Sequence, residues 1–156
     1  MSRRNFLDYR IPPPMVAGVV VGLMVMAERS SPGLSLNVPG RNALAWALAT
    51  AGMAMAASGI LSFRRRRTTV NPRKPHAAST LVMFGVYRRT RNPMYLGVTL
   101  ILLGLAFGLG HPLSLLLVAL FPAYVQRFQI EPEERALEKN FGAEFLDYKS
   151  RVPRWL

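Results

Sequence analysis

Three stretches of this chain contain no charged residue: Ile11 to Ala27, Asn42 to Phe63 and Met94 to Gln126, of 17, 22 and 33 residues. A helix rises about 1.5 Å per residue and a bilayer's hydrocarbon core is roughly 30 Å thick, so about 20 apolar residues cross once. The first two stretches each read as one crossing. The third, roughly 50 Å if unbroken, is too long for one, and Gly108, Gly110 and Pro112 surround His111 near its middle. Glycine and proline mark turns. The spacing predicts a tight hairpin with arms from Met94 to about Leu109 and from Pro112 to about Gln126. Each arm is short for a full crossing, which calls for local bilayer thinning or interfacial burial.

Arg3 and Arg4 ahead of the first stretch invite comparison with a signal peptide. Pro12 to Pro14 open that stretch, however, and Glu28-Arg29-Ser30-Ser31-Pro32 is no small-residue cleavage site. A retained helix is expected, with Pro14 in its first turn.

The chain is strongly basic, with 20 Lys+Arg against 8 Asp+Glu and a net charge of +12, yet 51% of its residues are hydrophobic. Four spans sort that charge. One side of the membrane then holds the N-terminus, the segment from Arg64 to Arg91 and everything from Arg127 onward, with 3, 9 and 6 basic residues, 18 of the 20. The other side keeps Arg29 and Arg41. Basic residues accumulate on the cytoplasmic side, so both termini are expected there. The charge needs no nucleic-acid partner: Arg64-Arg65-Arg66-Arg67 directly follows a span and lacks the interleaved aromatics of a stacking platform, so it reads as a membrane anchor. The absence of cysteine excludes disulfides, thiolate metal sites and cysteine nucleophiles, and with only His76 and His111 no metal centre is expected. The expected fold is all-α: an integral membrane protein with four transmembrane helices, the last two a tight hairpin, plus a C-terminal amphipathic interfacial helix. Residues 1–156 form one domain, with two N-terminal spans in 1–63 and a functional core in 80–156. Gly18 and Gly22 make a small-xxx-small pattern suited to helix pairing, within or between chains, and the oligomeric state stays open.

Two segments carry candidate chemistry. Asn92 is a good helix cap and Pro93 suits a first helical position, so the third span should start there beside Arg91. Free backbone N–H groups, the positive helix end and Arg91 together suit a carboxylate or phosphate. The plainer alternative makes Arg91 an interfacial cation and Tyr95 an aromatic-belt residue. After the fourth span, Pro132 suits a helix start with Glu133 and Glu134 in its first turn. Leu137, Phe141 and Phe145 recur every four residues, giving an amphipathic helix on the membrane surface or against the bundle. Three of the eight acids, Glu131, Glu133 and Glu134, fall on the same side as the Asn92 helix start.

Gly85-Val86-Tyr87, Arg91-Asn92-Pro93-Met94-Tyr95-Leu96-Gly97, Glu133-Glu134 with Leu137, Phe141-Gly142, Tyr148 and Arg151-Val152-Pro153-Arg154 together resemble the isoprenylcysteine carboxyl methyltransferase family. That family is related to the phospholipid N-methyltransferases; all are integral-membrane enzymes using S-adenosylmethionine. The resemblance covers about Thr80 to Leu156. It implies a cofactor site on the cytoplasmic side formed by Leu81, Val82, Tyr87, Arg91, Asn92, Pro93, Met94, Tyr95, Glu133 and Glu134. The product is S-adenosylhomocysteine and the acceptor lipophilic: a prenylcysteine-type carboxylate, a phospholipid amine or another small molecule. The cofactor's carboxylate suits Arg91 and the Asn92 helix start, its ammonium a glutamate, and its sulfonium the faces of Tyr87 and Tyr95. No catalytic residue is assigned.

Two positions depart from the family. Asn92 stands where many relatives have histidine, and Gln129 where the prenylcysteine enzymes place an arginine toward the substrate. Gln129 and the nearby Arg127 are the candidate substrate-binding residues. Two other functions compete. Sterol reductases share a related C-terminal motif and use NADPH, but are usually much longer than 156 residues. A non-catalytic membrane protein binding anionic lipid would fit the charge alone.

Overall fold

Proline and glycine set most of the helix ends in the computed structural model, which describes residues 9–65 and 80–156. Arg3, Arg4, Arg66, Arg67 and His76 lie outside the described residues. Helix α1, Pro13–Ser30, follows Pro12; α2, Arg41–Arg65, follows Gly40, whose φ is +79°. Helix α3, Pro93–Leu109, ends on Gly110 at φ +70°. The predicted turn then leads into α4, Pro112–Val118, and α5, Leu120–Val125. The step between α4 and α5 lies one turn before Pro122, which has no N–H to continue the helical ladder.

The fourth rod corrects one expectation. It does not stop at Gln126 and restart at Pro132. A single π-helical turn, Gln126–Ile130, carries it into α6, Glu131–Phe141, so Pro112–Phe141 is continuous over 30 residues. Pro132 still leaves a mark, because its missing N–H frees the carbonyl of Phe128. That carbonyl accepts the N–H of Tyr9 at 3.1 Å. A second correction concerns the C-terminal helix, which is two helices: Gly142, at φ +50°, separates α6 from α7, Ala143–Arg151.

The helices run up and down. At the end far from the chain termini the loop after α1 meets the turn after α3: Leu36 N–H donates to Gly110 O at 2.9 Å, and Arg41 Nη1 to Leu36 O at 2.5 Å. Helices α1, α3 and the fourth rod share a core of Val20, Met24, Leu102, Ala106, Val118, Phe121 and Val125. Helix α2 packs on α3 through small residues. A Cβ on Gly52 would lie 2.5 Å from Gly97 O, and one on Gly104 2.7 Å from Ala45 O, so the backbones touch directly. The rest of α2 stays open, with Trp46 72% and Met53 54% exposed, an apolar face that suits lipid rather than water.

Among the described residues all regular structure is helical, and two helices, α2 and the Pro112–Phe141 rod, are long and apolar enough to cross a membrane. Helix α3 is apolar but shorter, at 17 residues. The charge-free part of the fourth rod ends at Gln126, and α6 lies beyond it.

Candidate active site

Everything chemical gathers where α2 ends and α3 begins. A 3₁₀ turn, Gly85–Arg88, opens on Gly85 at φ +62°, a left-handed conformation that suits glycine. It buries Tyr87, whose ring meets Phe63 of α2 edge-on with centroids 5.5 Å apart. Across from it α7 lays Phe145 and Tyr148 against Leu81, Met83, Leu137 and Phe141, forming a second small core. Tyr148 OH donates to Tyr87 O at 2.7 Å and fixes the turn.

These elements line a partly open cavity of about 80 Å³. Of the residues implied by the resemblance, Leu81, Val82, Tyr87, Arg91, Asn92, Met94, Tyr95, Glu133 and Glu134 line it. Pro93 is buried at the head of α3 behind them. Phe63, Thr80, Ile130, Leu137, Phe145 and Tyr148 also line it and were not among the expected site residues. The four-residue spacing of Leu137, Phe141 and Phe145 was visible, but it read only as an amphipathic helix on the membrane surface or against the bundle.

The two glutamates have different surroundings. Glu134 is a hub: Arg91 Nη2 lies 2.9 Å from one oxygen, while Arg154 reaches both, Nε at 3.1 Å and Nη2 at 2.8 Å. Glu133 faces the cavity, and its Oε2 accepts the Tyr95 hydroxyl at 3.4 Å. Loss of hydration pushes its carboxyl up to about 8; the Tyr95 hydrogen bond opposes the rise and the Glu134 charge adds to it. Burial raises the Tyr87 and Tyr148 hydroxyls well above the usual tyrosine value, with Glu133 adding to the first and Arg91 opposing the second.

The sequence reading of Arg91 and Asn92 needs correction. Asn92 occupies the cap position without capping: its Nδ2 donates to Arg154 O at 2.9 Å, and its own N–H donates to Thr90 Oγ1 at 3.2 Å. Arg91 is not a free anion clamp, because Nη2 is committed to Glu134 and Nη1 donates to Lys149 O at 3.3 Å. Its Nε remains, buried and without a partner among the described residues. The candidate substrate residues lie outside the cavity. Arg127 pairs on the surface with Glu131 at 2.6 Å, and Gln129, 1% exposed, donates from Nε2 to Ile11 O at 2.9 Å. Gln129 ties the start of the chain to the π-helical turn.

Residues 41–144, from the start of α2 to the start of α7, match the family described as phospholipid methyltransferase. The chain belongs to that family. Protein-S-isoprenylcysteine O-methyltransferase of Mus musculus and that of Rattus norvegicus are each 40% identical over 77 residues, which is 49% of this chain and 27% of theirs. The chain thus matches about a quarter of those relatives' length. An uncharacterized protein of Haemophilus influenzae is 46% identical over 63 residues, 40% of this chain and 100% of that protein. Membership in the phospholipid methyltransferase family brings a methyl-transfer class and a membrane setting, and the open apolar faces of α2 agree with that setting.

Proposed function

We propose that this family member transfers a methyl group from S-adenosylmethionine to a lipophilic acceptor at the cytoplasmic face of the membrane. The observation that carries the reading is the cavity's donor set. It joins a carboxyl, Glu133, to a leftover buried N–H, Arg91 Nε, among the aromatic walls of Tyr87, Tyr95, Tyr148 and Phe63. An amino-acid end needs an acceptor for its ammonium and a donor for its carboxylate, while a sulfonium is attracted to aromatic faces. The residues present therefore fit the cofactor. When bound it supplies an electrophilic methyl: the acceptor's lone pair forms the new bond and the carbon–sulfur pair returns to sulfur.

The protein's contribution is positioning and exclusion of water. Tyr148 and Phe145 close the cavity from α7, and Tyr87 closes it from the loop. A carboxylate acceptor needs no base, whereas an amine or thiol must give up a proton. Tyr87 and Tyr148, their hydroxyls raised by burial, hold their protons at neutral pH. Glu133, near 8 in the free protein, is taken up by the cofactor's ammonium, so no base is assigned. Four crossings with both termini cytoplasmic are supported by the 18 of 20 basic residues on one side and by the gathering of the site at that end.

Titration calorimetry with S-adenosylhomocysteine tests the reading. Glu133 is largely protonated at pH 7 in the free protein, so capture of an ammonium releases a proton and affinity rises with pH between about 6 and 8. Glu133→Gln removes both the pH dependence and the proton release, and weakens binding by about 2 kcal/mol, the scale of a hydrogen bond to a charged group. A folded wild-type protein that binds no S-adenosylhomocysteine would refute the proposal.

A further inference from the structure

The chain after Tyr148 does more than finish α7. Pro153 O accepts Arg91 N–H at 3.1 Å, and Arg154 O accepts both Thr90 Oγ1 at 3.2 Å and Asn92 Nδ2 at 2.9 Å. The Arg154 side chain forks onto Glu134 of α6. Trp155 Nε1 donates to Gln126 Oε1 at 2.9 Å, on the π-helical turn. Arg154 thus grips two elements at once: the head of α3 through its carbonyl and α6 through its guanidinium. Those elements carry Tyr95 and Glu133, hydrogen-bonded to each other at 3.4 Å in the cavity wall. Arg154 itself does not line the cavity, and it lies outside residues 41–144 that match the family.

We infer that Arg154 is the positioning residue of this site: by bridging Glu134 and Asn92 it holds Glu133 against Tyr95 in the cavity wall, and so sets the fit to the amino-acid end of the sulfonium cofactor. The inference of cofactor fit rests on the methyltransferase reading; the hold on Glu133 does not. The two consecutive glutamates divide the labour. Glu133 meets the ligand, and Glu134 anchors the bridge. A guanidinium suits that place because its planar fork meets both carboxylate oxygens. Once the fork is lost, Arg91 alone holds Glu134 to the head of α3, α6 loosens there and water reaches Glu133. The groups around Glu133 are Tyr95 on α3, Tyr87 and Arg91 in the loop, Tyr148 on α7 and Glu134 beside it, whose charge opposes the fall that hydration brings.

The test combines one readout without cofactor and one with it, on the full chain in detergent micelles. Infrared difference spectroscopy follows the protonated carboxyl band that disappears in Glu133→Gln. In wild type that band titrates near pH 8. In Arg154→Gln it moves toward the ordinary carboxyl value of 4.5, and S-adenosylhomocysteine binds about tenfold more weakly, the scale of one charge-assisted hydrogen bond. Arg154→Lys, which keeps the charge and loses the fork, falls between the two. It also carries the test if Arg154→Gln does not hold its fold. A folded Arg154 variant whose Glu133 band titrates as in wild type overturns the inference, whatever its binding. Wild-type protein that binds no S-adenosylhomocysteine sinks the methyltransferase reading instead, and leaves the carboxyl band to decide the role of Arg154.

Discussion

Glu133 serves the site at the expense of the fold. Its folded-state value lies near 8, above the ordinary 4.5, so between those two values the folded chain holds a proton that the unfolded chain gives up. Stability from this group is therefore full below about pH 4.5 and declines as pH rises toward 8. Glu133→Gln is expected to flatten that decline: thermal unfolding in micelles should show the variant more heat-stable than wild type at about pH 8 and indistinguishable near pH 4.5. At this scale the sequence picked out residues that share one cavity wall, but not their contacts. Leu81, Val82, Tyr87, Arg91, Asn92, Met94, Tyr95 and the two glutamates line one cavity. What Arg91, Asn92 and Glu134 do was hidden, because their partners, Arg154 and the carbonyls of Lys149 and Arg154, lie 20 to 62 positions away in the chain. Local capping rules read neighbours along the chain and miss such partners.

Among the elements, the seam between α2 and α3 constrains the site most, because α2 delivers Phe63 and α3 delivers Met94 and Tyr95. Gly97 has no room for a side chain: a Cβ there would lie 2.5 Å from Gly52 O and 2.8 Å from Ala56 N, both backbone atoms that cannot step aside. Gly97→Ala should cost roughly 1 to 3 kcal/mol, the usual penalty of overpacking. A lower unfolding temperature checks it, while the exposed Gly18, with nothing within 4 Å of its Cβ position, tolerates the same change. The helix hairpin and its turn were legible because Gly110 and Pro112 are local signals. The π-helical turn was not. Pro132 looked like a helix start, and only the docking of Tyr9 onto the freed Phe128 carbonyl, with Gln129 on Ile11, makes a continuous rod with an irregular turn the better solution. Gly142, quoted only as part of a motif, turned one expected helix into two and folded α7 back over the loop.

For the whole molecule, the charge bias gives a topology that fusion reporters read directly. A reporter joined after Leu156 should be active on the cytoplasmic side, and one placed in the loop between Ser31 and Gly40 on the opposite side; the reverse pattern would reject four crossings with cytoplasmic ends. The apolar, all-helical character was legible at this scale because composition depends on no contact. The C-terminal bridge also orders events during synthesis. Every partner of Pro153, Arg154 and Trp155, from Thr90 to Glu134, is translated before them. A nascent chain can thus assemble its bundle in the bilayer while the site still stands open. Ribosomes that stop short of residue 153 would release a protein that is inserted, helical and folded in its apolar core, yet unable to close on its ligand.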